Sequence, residues 1–393
     1  MIYDVIVSGL GPAGAAAAYD LASRGLKVLA FDKEKFPRYK PCGGCVSLKV
    51  EKILPFDFKA VVEDTVYGAI FTYRSRRSLP ILSQKVIGYN VSRDRFDSLL
   101  KEKAKEAGAD IREGEKITAV AEAGDSIDIK TSQGLYKTKI LIGADGANGF
   151  VGREVLELDA KACAVAIEAE ISFDKGKLGA LKGKLLIDFG CIPHGYAWVF
   201  PKANSLSVGI AGLSKKVKGR VKRYFADFVQ KEKSLSQATI SSMHGWTIPY
   251  FNDTMQRIVK GRILAVGDAA HLVDPFLGEG IYYAIRSGQL AAKVISERIN
   301  DDKIDLSRYN EAVAAELYPE LEAAAKVGNW VYNYPRLWYR ILESEPSLME
   351  KYYNVVRGEE SYKEFYAAIV SRVKAKPWRL IVRWVKGCFS AAN

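Results

Sequence analysis

The chain opens on an apolar run, Tyr3 to Ser8, that reads as a buried strand. An alanine-rich stretch from Ala13 to Ser23 reads as a helix, and a second apolar run, Lys27 to Phe31, ends at Asp32. From Val91 to about Ala107, Phe96, Leu99, Leu100 and Ala104 fall on one helical face, with Ser92 placed as an N-cap and Gly108 at the end. Three strands are predicted next, Lys116 to Ala121, Ser126 to Thr131 and Leu135 to Ile142, with turns at Gly124-Asp125 and Gln133-Gly134. Tyr67 to Tyr73, Lys85 to Tyr89 and the stretch between them look like strands joined by basic turns at Arg74, Arg76 and Arg77. Ala162 to Phe173, Leu185 to Phe189, Tyr196 to Phe200 and Leu206 to Ala211 read as further strands. Val217 to Lys231 reads as a basic helix with a solvated face. Arg262 to Val266 reads as a short buried strand, and a long helix runs from Gly280 to about Ile299. The remainder is helical in pattern and rich in aromatic residues, among them Trp330, Tyr332, Tyr334, Trp338, Tyr339, Tyr352 and Tyr353.

These elements predict an α/β fold with a Rossmann-like domain, an inserted and mostly antiparallel sheet, and a helical C-terminal region. The first domain is expected to be discontinuous, over 1–64, 91–154 and 256–300. The inserted sheet takes 65–90 and 155–255, and the helical region takes 301–393. Between the first strand and first helix stands Gly9-Leu10-Gly11-Pro12-Ala13-Gly14. Strand, glycines, helix, strand and acid in this order form a dinucleotide cradle. Gly9 allows the turn, Gly11 lets the backbone approach a pyrophosphate, and Gly14 lets helix and strand pack. The free N–H groups and positive dipole of the helix start face the phosphates, and Asp32 is placed to accept ribose hydroxyls.

With 393 residues, 48% hydrophobic and 26% charged, the chain has the size and balance of roughly two globular domains. No apolar run reaches the roughly 18 residues of a membrane span, and the chain starts on a strand, so no signal peptide is expected. Five cysteines, an odd number, suit a reducing compartment, and a cytoplasmic location follows. The net charge of +12 suits an anionic partner or a lysine-rich surface. No nucleic-acid module is present, and nucleic acid is not an expected partner. Pro41-Cys42-Gly43-Gly44-Cys45 lies in a loop. Its Cys-x-x-Cys could be a redox pair, half a metal site or two incidental thiols. Cys163, Cys191 and Cys388 are scattered and His194, His244 and His271 do not supply ligand spacing, so no metal is expected. The two glycines imply a backbone that passes close to something flat or large.

A second signal is Gly267-Asp268 at the end of a strand, followed by the Gly278-Glu279-Gly280 start of the long helix. Asp268 is placed to bind a polyol hydroxyl. The helix start is placed to face a developing anion, such as the N1–C2=O edge of a reduced flavin.

These motifs, with the Arg95 helix and Gly143-Ala144-Asp145-Gly146, resemble the fingerprints of the para-hydroxybenzoate hydroxylase group of FAD enzymes over most of residues 1–300. Within that group, Pro41-Cys42-Gly43-Gly44-Cys45 and Tyr196-Ala197-Trp198-Val199-Phe200-Pro201 resemble the geranylgeranyl reductases, and more narrowly their archaeal digeranylgeranylglycerophospholipid branch. That family follows the aromatic motif with Gly-x-Gly; here Gly209-Ile210-Ala211-Gly212 departs from it. The resemblance implies a glutathione-reductase-type FAD domain and saturation of C=C bonds in geranylgeranyl chains, borne by prenyl diphosphates or ether-lipid precursors. It implies that Gly9, Gly11, Ala13 and Gly14 cradle the pyrophosphate, that Asp32 holds the adenosine ribose and that Lys33 is among the cofactor-binding residues. Arg95 would pair with phosphate, Val120 would lie against adenine, and Asp268 would bind ribityl or phosphate oxygens. Gly280 and Ile281 would sit under the flavin, with Cys42, Gly43 and Cys45 beside it. Tyr196, Trp198, Phe200 and Pro201 would wall the substrate cavity.

For an unpolarised alkene this chemistry needs a hydride at one carbon and a proton at the other. The expectation is that protonation leads, that the aromatic trio stabilises the developing positive charge, and that Cys45 is the candidate proton relay or positioning thiol. Without the resemblance, alternating aromatics on a strand read equally well as core. The segment 372–386 interleaves six basic residues with Trp378, Leu380, Ile381, Val382, Trp384 and Val385, which suits contact with an anionic membrane surface. No second nucleotide cradle is visible, so the reductant is expected to be a ferredoxin or a transiently bound NAD(P)H. Two other function classes share this scaffold: a flavin monooxygenase or halogenase that uses oxygen, and a non-catalytic flavoprotein or lipid carrier.

Overall fold

The computed structural model describes residues 1–158, 163–172, 179–236, 240, 242–252 and 257–375. The segment 372–386 therefore lies outside the described residues from position 376 onward. The predicted α/β architecture is present. A sheet of eight strands is built on a parallel core in the order Ile263–Ala265, Leu135–Gly143, Ile2–Ser8, Val28–Asp32 and Asp110–Glu113. The strands Ile117–Ala123 and Ser126–Thr131 form an antiparallel flap hung on Leu135–Gly143. Val5, Ile6, Val7, Leu29, Ile140, Leu141 and Ile142 are buried, as a parallel sheet covered by helices requires.

The second sheet has seven strands in the order His244–Ile248, Ala164–Ser172, Ser205–Leu213, Gly195–Pro201, Lys184–Phe189, Gly68–Tyr73 and Arg77–Leu82. Only the pairing of Lys184–Phe189 with Gly68–Tyr73 is parallel. One departure from the pattern lies at its edge. The predicted strand near Lys85 to Tyr89 is Gly88–Val91, and it leaves the large sheet to pair with Cys45–Ser47 and Val62–Val66 in a small one. Gly88 permits this, since a Cβ there would stand 2.5 Å from the Val46 carbonyl oxygen.

Each face of the seven-stranded sheet packs on something different. Val217, Phe225 and Phe228 cover the outer face. The helix predicted over Val217 to Lys231 is broken at left-handed Lys218 into Ser214–Val217 and Val221–Lys231. The inner face meets the C-terminal helices Tyr318–Asn333, Pro335–Ser344, Ser347–Arg357 and Tyr362–Ala375 through Phe71, Ile187, Trp338, Tyr352 and Phe365. The aromatic richness of the C-terminal region is thus largely the wall of a core. Ser92 does hold the N-cap position of the helix Arg93–Glu106, but its hydroxyl makes no capping bond. Among the described residues no helix is long and apolar enough to cross a membrane.

Tyr353 ties the two sides together. Its buried hydroxyl accepts from Ala69 N at 3.0 Å and donates to the Ile81 carbonyl at 2.7 Å. Tyr353→Phe leaves both backbone groups unpaired, which costs about 1–3 kcal/mol. The thermal unfolding midpoint of the variant is expected to fall by a few degrees, and an unchanged midpoint would contradict the tie.

Candidate active site

The first strand ends in the glycine turn. Gly9 has φ +99°, and a Cβ there would stand 2.4 Å from the Ala144 carbonyl oxygen. A Cβ on Gly14 would stand 1.9 Å from the Gly9 carbonyl oxygen. The helix Pro12–Ser23 therefore starts flush against the strand end. Gly11 is its N-cap, no side chain caps it, and its first turn holds no acid. At the end of the next strand Asp32 is buried and accepts from Leu10 N at 2.9 Å and Glu34 N at 3.0 Å. Burial holds its carboxyl above the usual range.

A second helix start opens on the same space. The helix Ile281–Arg298 begins at Gly280, again without a side-chain cap or an acid in its first turn. Gly288 lets it cross the first helix closely, since a Cβ there would stand 2.3 Å from the Ala13 carbonyl oxygen. Ser287 Oγ accepts from Gly267 N at 2.9 Å, which anchors the Gly267-Asp268 turn to the crossing.

Cations gather beside these starts. Arg93 donates to both oxygens of Asp97 at 2.8 Å, and Arg38 pairs with the same carboxylate at 2.9 Å. Asp97 is fully buried and shared by two guanidinium groups, so one positive charge is left over. Burial opposes the Arg93 charge, but Asp97 outweighs it and holds the guanidinium above its ordinary pKa. Lys40 lies over the Trp246 ring at 3.7 Å, and burial with repulsion from Arg93 pushes its ammonium down to about 8.

The inner face of the seven-stranded sheet forms the roof. Its register aligns His244, Glu168, Gly209, Trp198, Ile187 and Phe71 in one row across five hydrogen-bonded pairings. Trp198 lies across Gly209, where a Cβ would stand 2.1 Å from Cζ2 of the indole, and its Nε1 donates to Ser207 Oγ at 3.2 Å. Tyr196 donates from its hydroxyl to the Leu277 carbonyl at 2.6 Å. Gly43 passes under the roof, with a would-be Cβ 2.7 Å from the Phe200 ring. The flat neighbour that the paired glycines implied therefore includes the roof itself. One cavity of about 850 Å³ joins the glycine turn, the cations, both helix starts and the roof.

An FAD binding domain family matches residues 2–314 of this chain. A protein of unassigned function from Methanosarcina barkeri is 32% identical over 95% of this chain and 96% of its own. The digeranylgeranylglycerophospholipid reductase of Methanosarcina acetivorans is 30% identical over 79% of each chain. Among solved structures, a geranylgeranyl bacteriochlorophyll reductase-like protein from Thermoplasma acidophilum superposes with TM-score 0.75 at 26% identity, over 84% of this chain and 88% of that one. The chain belongs to the geranylgeranyl reductase family of FAD-binding proteins. It is a flavin-dependent oxidoreductase with FAD as cofactor, and two uncapped helix starts beside surplus cations fit that anionic dinucleotide.

The enzyme's cavity is lined by most residues singled out in the sequence: Gly9, Gly11, Ala13, Asp32, Lys33, Cys42, Gly43, Cys45, Tyr196, Trp198, Phe200, Asp268, Gly280 and Ile281. Gly14 stands just behind this wall, packed on Gly9. Three positions differ from expectation. The Arg95 side chain is 53% exposed, and it turns away to the Ala60 carbonyl and Glu63. Arg93, at 10%, lines the cavity in its place, because two residues along a helix reverse the direction of a side chain. Val120 packs on the core of the parallel sheet, and Ile117 and Thr118 of the same strand line the cavity. Pro201 is buried at its strand end, where its carbonyl accepts from Asn90 Nδ2 at 2.8 Å.

Arg38, Lys40, Arg93 and Glu168 were not singled out in the sequence. The signal for Arg93 was there: Asp97 falls on the apolar face of its helix, and a buried acid needs a cation one turn away. Cys45 is a neutral thiol, raised to about 12 by burial, with Glu279 and Cys42 adding to it.

Arg93→Ala is expected to weaken FAD retention by about tenfold or more, the worth of a charge-assisted bond. Arg95→Ala should retain FAD as the unmodified protein does. Flavin absorbance after gel filtration checks both, and loss in Arg95→Ala alone would overturn the assignment.

Proposed function

We propose that this enzyme saturates C=C bonds of geranylgeranyl chains, carried by prenyl diphosphates or archaeal ether-lipid precursors. The observation that carries the reading is the continuity of the cavity. From the FAD end it runs beneath Tyr196, Trp198 and Phe200 into an apolar strip of Ala69, Phe71, Leu185 and Ile187. Tyr352, Tyr353 and Val356 line it as well. Such a strip suits a long hydrocarbon chain and offers few partners to a polar substrate. The names of the Methanosarcina and Thermoplasma relatives support the same class of substrate.

On this reading Gly9, Gly11, Ala13 and Gly14 cradle the pyrophosphate, with Arg38 and Arg93 supplying charge. Asp32 and Lys33 serve the ribose and Asp268 serves the ribityl side. Cys42, Gly43, Cys45, Gly280 and Ile281 border the ring. Reduced FAD, when bound, supplies a hydride. The Gly280 helix start favours negative charge next to it. Trp198 and Tyr196 are held by their polar atoms, so their ring faces stay presented to a carbon that gains positive charge. Cys45, at about 12, is too weak an acid to suit proton delivery at neutral pH and is assigned to positioning.

The test is anaerobic. Protein reduced with dithionite and given geranylgeranyl diphosphate should yield products heavier by one H2 per reduced bond, with flavin reoxidation. No product, but rapid oxygen consumption on adding lipid in air, would favour a monooxygenase instead. Gly209→Val should displace Trp198 and slow the reduction about tenfold or more, about 1.4 kcal/mol in barrier, with FAD still bound. Unchanged turnover in that variant would remove the indole from the mechanism.

A further inference from the structure

One carboxyl in the cavity has no part in the reaction as described. Glu168 stands mid-strand in Ala164–Ser172, is 2% exposed as a residue and lines the cavity. In the roof row it is separated from Trp198 only by Gly209, which has no side chain. One of its oxygens accepts from Ser207 Oγ at 3.1 Å, and the other accepts from the Tyr39 hydroxyl. Ser207 Oγ also receives the Trp198 indole N–H and lies 3.4 Å from the Cys42 carbonyl oxygen. Tyr39 is 47% exposed. A hydrogen-bonded path therefore runs from solvent through Tyr39 to Glu168 and on to Ser207 at the roof.

Resting on the prenyl-reductase reading, we propose that Glu168 is the proton donor of this cavity and is recharged from solvent through Tyr39. The step balances as follows. The alkene π bond breaks. Its tertiary carbon forms a C–H bond with the electron pair and hydrogen of a hydride from bound reduced flavin. The neighbouring carbon forms a C–H bond with the proton of the Glu168 carboxylic acid, which becomes a carboxylate. The flavin is left oxidised, and an external two-electron donor restores it. Solvent returns the proton.

The surroundings keep a share of Glu168 protonated at neutral pH. Burial is the largest influence and raises its pKa to about 7, with the Tyr39 hydrogen bond working against it. Glu170 on the same strand raises it further, and Lys202 and the Ser207 hydroxyl lower it. Lys202 is itself ion-paired with Glu170. On the neighbouring edge strand His244 pairs with Glu168 in register and packs at a tilt against Tyr39, with ring centroids 4.4 Å apart. Lys40, beside Tyr39 in sequence, lies over Trp246. Other acids in the cavity serve less well: the Tyr196 phenol is raised by burial, and Glu279 is ion-paired with Lys49 at 2.7 Å. An acid titrating near neutral pH is matched to this task.

Two measurements test this on the FAD-loaded full chain. Infrared difference spectra across pH should show a protonated carboxyl band that is lost as pH rises through about 7 and that is absent in Glu168→Gln. This readout needs no substrate, so it stands even if the prenyl reading fails. With dithionite-reduced protein and geranylgeranyl diphosphate, single-turnover reduction should slow as pH rises past the same midpoint. Glu168→Gln should be about a hundredfold slower or more, and flat in pH. Glu168→Asp should recover part of the rate, and Tyr39→Phe should slow only repeated turnovers. No titrating band, or a Glu168→Gln variant that keeps the rate and the fall with pH, would overturn the proposal. Product in the unmodified protein with either of those results would sink the donor while leaving the function standing.

Discussion

The backbone of Gly288 lies so close to Ala13 that a single added carbon would stand 2.3 Å from the carbonyl oxygen. That contact sets the crossing of the helices Pro12–Ser23 and Ile281–Arg298, and the crossing sets where both begin. Each begins at an uncapped glycine, so each presents unsatisfied N–H groups and the positive end of its dipole to one space. Two such starts opening on one cavity are unfavourable without a negative charge between them. A dinucleotide with a pyrophosphate and a reducible ring would offer each of them a negative partner. The Gly267-Asp268 turn, held to the crossing by Ser287, fills the corner between them. A larger residue at position 288 would separate the two starts and split the site, leaving the parallel sheet beneath in place.

The roof follows a different constraint, the two-residue period of a strand. Because Tyr196, Trp198 and Phe200 alternate with buried outward residues, all three face one way. Register then carries that face across the sheet, from the polar side at His244 and Glu168 to the apolar positions Ile187 and Phe71 toward the opposite edge. The cavity therefore has a wet end and a dry end set by strand order alone. The C-terminal helices pack against the same inner face of the sheet, and Tyr353 joins them to its edge. The departure from Gly-x-Gly is accounted for at the same place. Gly209 is the position that must stay open for the indole, whereas Ala211 lies opposite Tyr196 and tolerates its methyl group.

Much of this was legible in the sequence because the decisive features are local. The glycine turn, Asp32, the Gly267-Asp268 turn and the aromatic strand each occupy a few consecutive residues. What the sequence hid depends on direction or on distance along the chain. Arg93 and Arg95 differ only in which way the helix turns them, and the deciding residue is the buried Asp97. Lys85 to Tyr89 reads as a strand like its neighbours in sequence, and its pairing with Cys45–Ser47 and Val62–Val66 places Gly88–Val91 in the small sheet. Glu168 sits in a weakly alternating strand, and its importance comes from Tyr39 and Ser207, distant in sequence on either side. No short motif encodes such a meeting.

The central claim is that a prenyl double bond lies between the flavin and the indole of Trp198. A crystal structure of the FAD-loaded protein with geranylgeranyl diphosphate tests it most directly. The account predicts the chain threaded beneath Tyr196, Trp198 and Phe200, with one double bond against the flavin ring and the tail toward Phe71 and Ile187. A chain bound outside this cavity, or a Trp198 turned off Gly209 with the hydrocarbon elsewhere, would contradict it.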